Sequence, residues 1–427
     1  MQATDSLSYL TPDLPGVGGV LKARNEDFLV EEQPLYEPCG EGEHVYLFIE
    51  KNALTTTDAV HRIARAFHMH RRNIGYAGLK DKHAVTRQHL SLWLPGVDEA
   101  TVAEGVQRVN TQQEKVKILW HERHTNKLKR GHHGGNRFVL RLRDVEPTHV
   151  VRAKAVMDVM EKRGVPNYIG DQRFGYRQNS HRTGKALLLG DFETVIEEML
   201  AADAPSESEY VKQGREHVRA GEYGKALEVW PKTLRYDRQL LDALRQGKSP
   251  RDAVKTIDGN QRAFLVSAWQ SAVFNEVLDE RVKTGTFDKL LPGDLAWKHD
   301  SRATFEVDDS TFEEDNAPGG RVEQGLLSPS GPLWGPQMPQ AIGEPARLER
   351  EALANAGVTE EQLAGTGDDS RAVAEGKRRP LRILLKDPDV SGGADEYGPY
   401  IKTSFELPRG AYATMVLREV MKSGAGV

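Results

Sequence analysis

The chain reads as an α+β protein of two domains. Three observations predict this. Short segments that alternate apolar and polar residues recur between residues 28 and 143 and again near the C-terminus, as strands with one buried face do. Segments with apolar residues at helical spacing separate them and then dominate the middle of the chain. At 427 residues the sequence is also longer than one ordinary hydrophobic core supports, so two domains are the expectation.

A Pro/Gly loop over 11–19 leads through Lys22 and Asn25-Glu-Asp27 into a short strand, Phe28–Glu32. A second strand, His44–Glu50, follows Gly40-Glu-Gly42. Residues 56–70 form a helix, with Thr57 as its N-cap and Ala59, Val60, Ile63, Ala64 and Phe67 on its apolar face. Its basic tail, His68–Arg72, suits either a phosphate or the helix dipole. Next comes Gly75-Tyr-Ala-Gly-Leu-Lys-Asp-Lys82, a loop whose glycines permit tight turns, running into a strand at His89–Leu94. Asp81 lies in that loop between Lys80 and Lys82. Two flanking ammonium groups favour the charged carboxylate, as a nucleophile or base requires. A solvated Lys-Asp-Lys triplet is the plainer reading of the same residues.

A helix over Thr101–Val109 and a strand over Glu114–Trp120 precede the most basic stretch of the chain, 121–143. Arg123, Lys127, Lys129, Arg130, Arg137, Arg141 and Arg143 stand there against the single acid Glu122. Such a run suits a polyanion, with glycines 131, 134 and 135 loosening its middle. His121 and His124 have no third ligand at a standard spacing, so no metal site is expected. Gly135–Arg143 reads as a strand with Phe138, Leu140 and Leu142 on one face, and 150–163 as a helix. Helices then follow at 185–189, 192–201, 209–220 and 260–284, the last apolar enough to be the centre of its domain. From 311 to 379 Gly, Pro, Ser and acidic residues point to long loops, with one short helix at 345–356 and a mobile stretch at 360–375. Strands at 381–385 and 400–407 and a helix at 411–421 close the chain.

Composition narrows the function. The net charge of −5 means that any nucleic-acid surface is local. The single cysteine, Cys39, permits neither a disulfide within one chain nor a thiolate zinc site, which suits a reducing, cytoplasmic setting. No signal peptide and no membrane span is expected. On residues alone, a non-catalytic RNA-binding protein and a phosphate-processing hydrolase stay open. The hydrolase would need clustered carboxylates for metal ions, and none surround Asp81 in the sequence.

Four stretches stand out, in order: Lys22…Glu26-Asp-Phe28 with Gly78-Leu-Lys-Asp-Lys-His-Ala-Val-Thr-Arg-Gln-His-Leu-Ser91, Gly135-Asn-Arg-Phe-Val-Leu-Arg-Leu-Arg143, Val165-Pro-Asn-Tyr-Ile-Gly-Asp-Gln-Arg-Phe-Gly-Tyr176, and Phe405-Glu-Leu-Pro-Arg-Gly-Ala-Tyr-Ala-Thr-Met-Val-Leu-Arg-Glu419. Together they resemble one family, the TruD tRNA pseudouridine synthases. The resemblance implies a catalytic domain on a mixed/antiparallel sheet, split into residues 1–160 and 380–427, with a family-specific α/β insertion domain over 161–379. It implies Asp81 as the catalytic residue. Lys22, Phe28, Lys80, Asn136, Phe138 and Phe405 would lie at the target uridine, where Asn136 reads a pyrimidine edge and an aromatic ring stacks on the base. By the charge of the basic stretch, Arg123, Lys127, Lys129 and Arg130 are the candidates for RNA contact, and Arg173 either contacts phosphate or braces its loop. The implied partner is tRNA, with uridine 13 as the target, and neither a cofactor nor a protein partner is implied.

Overall fold

The computed structural model describes residues 7–203, 207–365 and 375–422. In chain order, β1 (Phe28–Pro34), β2 (His44–Asn52), α1 (Thr56–Ala66), β3 (Ile74–Tyr76), β4 (Val85–Trp93), α2 (Glu99–Gln112), β5 (Val116–His124), β6 (His133–Arg143) and α3 (Val150–Arg163) come first. The chain then passes through β7 (Val165–Pro166) into α4 (Ser180–Leu189), α5 (Phe192–Ile196), α6 (Glu209–Arg219), α7 (Tyr223–Val229), α8 (Arg235–Arg245), α9 (Pro250–Lys255) and α10 (Gly259–Lys283). There follow β8 (Leu295–Lys298), β9 (Thr304–Glu306), α11 (Asp309–Asn316), β10 (Leu327–Leu333), α12 (Gly343–Asn355), α13 (Glu360–Gly365) and β11 (Lys377–Pro380). The chain returns through β12 (Arg382–Ile383) to β13 (Lys386–Asp395), β14 (Gly398–Pro408) and α14 (Ala413–Met421). Two compact units result, one of residues 11–165 with 383–422, the other of residues 7–10 with 166–382.

The first unit is built on a mixed sheet ordered β13-β14-β6-β1-β4-β2-β5, with β3 added beside β4. Its pairings are antiparallel except β1 with β4. Alternation along β2 and β4 puts Val45, Leu47, Ile49, Leu90 and Leu92 into a core with Ala59, Val60 and Ile63 of α1 and Val102 and Val109 of α2. The N-cap of α1 is Thr55, not Thr57. Thr55 keeps an extended backbone and its side chain accepts from Asp58 N–H at 3.1 Å. The helix ends at Ala66 rather than near 70, because His68 takes a left-handed φ of +51°. Helix α3 spans 150–163 as its periodicity predicts.

The second unit departs further from the sequence reading. The π-turn Glu197–Ala201 ends the helix expected over 192–201, and α7, α8 and α9 were not anticipated. At seven and six residues, α7 and α9 are too short for periodicity to separate them from loop. Helix α10 is buried on most sides, Trp269, Phe274 and Leu278 included.

The expected long loops of 311–379 are corrected too, since α11, β10, α13 and β11 lie there, while α12 stands where a short helix is expected at 345–356. Strand β10, Leu-Ser-Pro-Ser-Gly-Pro-Leu, is buried at all seven positions between β8 and β11. Its prolines and serines read as loop because proline gives a central strand no donor. The structure supplies donors from elsewhere. Arg378 donates to Ser330 Oγ at 3.1 Å and Arg382 to Ser328 Oγ at 2.8 Å. Of the stretch expected to be mobile, 360–365 is helix α13 and 366–374 lies outside the described residues. No helix among the described residues is long and apolar enough to cross a membrane.

Candidate active site

Asp81 stands in the turn between β3 and β4, with its side chain 53% exposed. Two elements grip the backbone around it, and two more hold the side chain of its neighbour Lys80. From α1, the Thr56 hydroxyl accepts the Lys80 N–H at 3.0 Å and donates to Gln88 Oε1 at 2.9 Å. From β2, Lys51 Nζ donates to the Asp81 carbonyl at 2.7 Å and reaches the Lys80 carbonyl at 3.5 Å. From β1 and β6, Glu32 and Asn136 hold the Lys80 side chain, at 2.9 and 2.6 Å from Nζ. The loop backbone is therefore fixed while the Asp81 carboxylate stays open to solvent.

The cation beside that carboxylate is not the one expected. Lys80 is turned inward, and Lys82 is exposed. Lys22 Nζ approaches Asp81 Oδ2 at 3.4 Å and lies 4.3 Å above the ring of Phe28. Lys22 reaches there from a left-handed backbone, φ +55°, which few side chains adopt. Two residues earlier, Val20 is anchored in both directions to the Arg143 backbone, at 2.8 and 3.0 Å.

Aromatic rings continue the row. Phe28 meets Phe138 edge-on at 6.5 Å, and Phe138 stacks on Phe405 at 5.5 Å. Strand pairing sets this order, with Phe138 opposite Phe405 across β6 and β14. Phe405 is wholly enclosed, so it backs the ring of Phe138. Asn136 precedes Phe138 by two residues and so shares its face of β6. Thus Lys22, Phe28, Lys80, Asp81, Asn136, Phe138 and Phe405, more than 380 positions apart in sequence at the extremes, meet in one unit.

The expected RNA contacts divide. Lys129 and Arg130 are exposed, and Arg130 lies 5.9 Å above Tyr76. Lys127 donates to the Arg72 carbonyl at 2.6 Å, bringing the loop to exposed Arg71 and Arg72. Arg123 is engaged otherwise, since it donates to the Val97 carbonyl and pairs with Glu99 at 3.5 Å, steadying the start of α2. Arg143 is buried between Asp27 and Asp395, which removes it from the basic surface. Arg173 belongs to the other unit, where it donates to Ser267 Oγ at 3.2 Å. The two ends of 121–143 are β5 and β6, and residues 125–132 between them form the connecting loop, with glycines 134 and 135 inside β6. Among the described residues no three His, Cys, Asp or Glu side chains gather as a metal site would need.

Sequence reasoning missed Lys51, Glu32 and Thr56. A signal existed for the first two. Along β2, Lys51 follows Val45, Leu47 and Ile49 at period two, and along β1, Glu32 follows Phe28 and Val30. Each is a charge on a buried face, where an unpaired charge is costly. Burial pushes the Glu32 carboxyl up, but the contacts of His89 and Lys80 outweigh it and hold it below its ordinary range.

Burial also pulls the Lys51 amine down to about 8 from an ordinary 10.5, against the opposing charge of Asp81. Between those two pH values the unfolded chain holds a proton that the folded chain has released. Folding stability from this group therefore rises with pH across that window. Thermal melts of the wild type and Lys51→Met from pH 7 to 10 should show the wild type gaining relative to the variant above about pH 8. A constant difference between the two would exclude Lys51 as the source.

The family model for tRNA pseudouridine synthase D (TruD) matches residues 6–420. A tRNA pseudouridine synthase D of Geobacter sulfurreducens is 43% identical over 417 residues, covering 97% of this chain and 96% of the relative. One of Anaeromyxobacter sp. (strain Fw109-5) is 35% identical over 416 residues, covering 97% and 96%. A Methanosarcina mazei crystal structure carrying the name tRNA pseudouridine synthase D (TruD) superposes with a TM-score of 0.85 at 26% identity, covering 99% of both chains. With its mixed sheet, its aspartate-bearing loop and these likenesses over nearly its whole length, the chain belongs to the TruD family of tRNA pseudouridine synthases.

Proposed function

We propose that this protein isomerises uridine to pseudouridine in tRNA, at uridine 13, with Asp81 as the essential carboxylate. One observation carries the reading. A solvent-facing carboxylate on a loop whose backbone is pinned from α1 and β2 stands beside an ammonium group and a row of three aromatic rings. The reaction breaks the N1–C1′ bond, turns the uracil and joins C5 to C1′. The C5 proton is lost and N1 gains one, so nothing is oxidised, reduced or hydrolysed. The target base leaves its stack to reach the carboxylate. Phe28 and Phe138, backed by Phe405, form the apolar wall for the base, and Asn136 supplies a hydrogen bond to its edge. Lys22 offsets charge at Asp81. Lys127, Lys129 and Arg130 meet phosphates, a sequence-independent attraction that suits a cytoplasmic tRNA substrate.

The test uses unmodified tRNA transcripts and pure protein, with chelator and without added cofactor. Pseudouridine mapped at nucleotide resolution should appear at position 13 and nowhere else. Modification elsewhere would replace the proposed target, and no modification of any tRNA would overturn the reading.

A further inference from the structure

We propose that Lys80 is a positioning residue: it fixes the Asn136 amide so that the pocket offers an N–H donor to a carbonyl oxygen of the base, and Glu32 holds Lys80 in that place. The inference rests on the functional reading above and assigns the chemistry by which that site accepts uracil.

Lys80 adjoins Asp81 in sequence, yet its ammonium turns inward. It lies 2.9 Å from Glu32 Oε2 and donates to Asn136 Oδ1 at 2.6 Å. The Lys80 side chain is 6% exposed and that of Glu32 is 1% exposed. Swinging Lys80 out to a phosphate would strand a buried carboxylate, which is costly. Glu32 is itself fixed by the His89 backbone N–H at 3.1 Å. The line from β4 through β1 and the Asp81 loop to β6 is thus a chain of charge-assisted contacts.

The direction of the amide follows from chemistry. An ammonium only donates, so the oxygen of Asn136 must face Lys80. The opposite side of the amide is then its NH2 group, and a donor is what Asn136 keeps for a ligand. Uracil has carbonyl oxygens at C2 and C4, whereas cytosine has an amine at C4. Turning the base by half a revolution about its N3–C6 axis exchanges N1 with C5 and C2 with C4. One carbonyl therefore replaces the other, and a fixed donor is satisfied before and after the turn. For cytosine one of the two orientations would set donor against donor. The arrangement selects uracil and steadies it through the rotation.

The test compares wild type, Lys80→Met, and the double variant Lys80→Met/Glu32→Gln on one tRNA transcript, by kcat, KM, tRNA affinity and thermal melting. Lys80→Met should lower kcat roughly ten- to a hundredfold, with KM and tRNA affinity near wild type. It should also melt early, because Glu32 loses its partner. The double variant removes the stranded charge, so its melting temperature should recover while kcat stays low. Recovery of kcat together with the melting temperature would reduce Lys80 to a structural role and overturn the proposal. So would a raised KM at unchanged kcat, which marks a phosphate contact. A wild type that forms no pseudouridine overturns the functional reading and this inference with it, and the wild type alone reveals that outcome.

Discussion

Asp81→Asn is expected to lower pseudouridine formation by at least about a thousandfold while leaving tRNA affinity within about a factor of three. The substitution is nearly isosteric. Both grips on the loop at this position act on the backbone, Lys51 at the Asp81 carbonyl and Thr56 at the Lys80 N–H. The loop should therefore keep its course, and Phe28, Phe138 and Phe405 should keep theirs. What disappears is the anionic oxygen 3.4 Å from Lys22. A neutral amide neither attacks nor accepts a proton as a carboxylate does. Single-turnover assays on a tRNA transcript with protein in excess measure the step directly, and filter binding measures affinity. Turnover above about one per cent of wild type, from protein shown by mass spectrometry to be free of deamidation, would remove Asp81 from the chemistry.

Arg143→Met should destabilise the sheet unit by about 3–5 kcal/mol. Arg143 donates to Asp27 through Nε at 3.0 Å and Nη2 at 2.6 Å, and to Asp395 at 2.6 and 2.9 Å. Asp27 is fully buried, so removing the guanidinium leaves a carboxylate with neither water nor counter-charge. The pair also ties the turn before β1 to the β13–β14 hairpin, the elements that carry Phe28 and Phe405. For a unit of this size the loss corresponds to a fall of roughly 10 °C in melting temperature. The double variant Arg143→Met/Asp27→Asn should recover part of the loss. If Arg143→Met melts with the wild type, the bridge is not a determinant of stability. Arg143 also shows how a residue in a basic run can serve the core, since charge density in sequence says nothing about which side chains turn inward.

Much of the protein was legible before its structure. Alternation predicted the strands that carry Phe28, Phe138 and Phe405, because a period of two decides which side chains share a face. Periodicity bounded α3 at 150–163. Local signals failed where long-range partners dominate. Strand β10 read as part of a long loop because the arginines that bond its serines lie about 50 positions away. Flanking residues likewise misled at Asp81. In an extended loop neighbouring side chains diverge, so Lys80 serves Glu32 and Asn136 while Lys22, 59 positions away, faces the carboxylate. The sequence by itself determined the fold class, the loop that bears the aspartate and the aromatic residues of the candidate site. Only the tertiary structure decided which cation faces Asp81, which carbonyls Lys51 holds and which way the Asn136 amide points. Those choices depend on side-chain direction and on contacts between strands, and neither is encoded in local order.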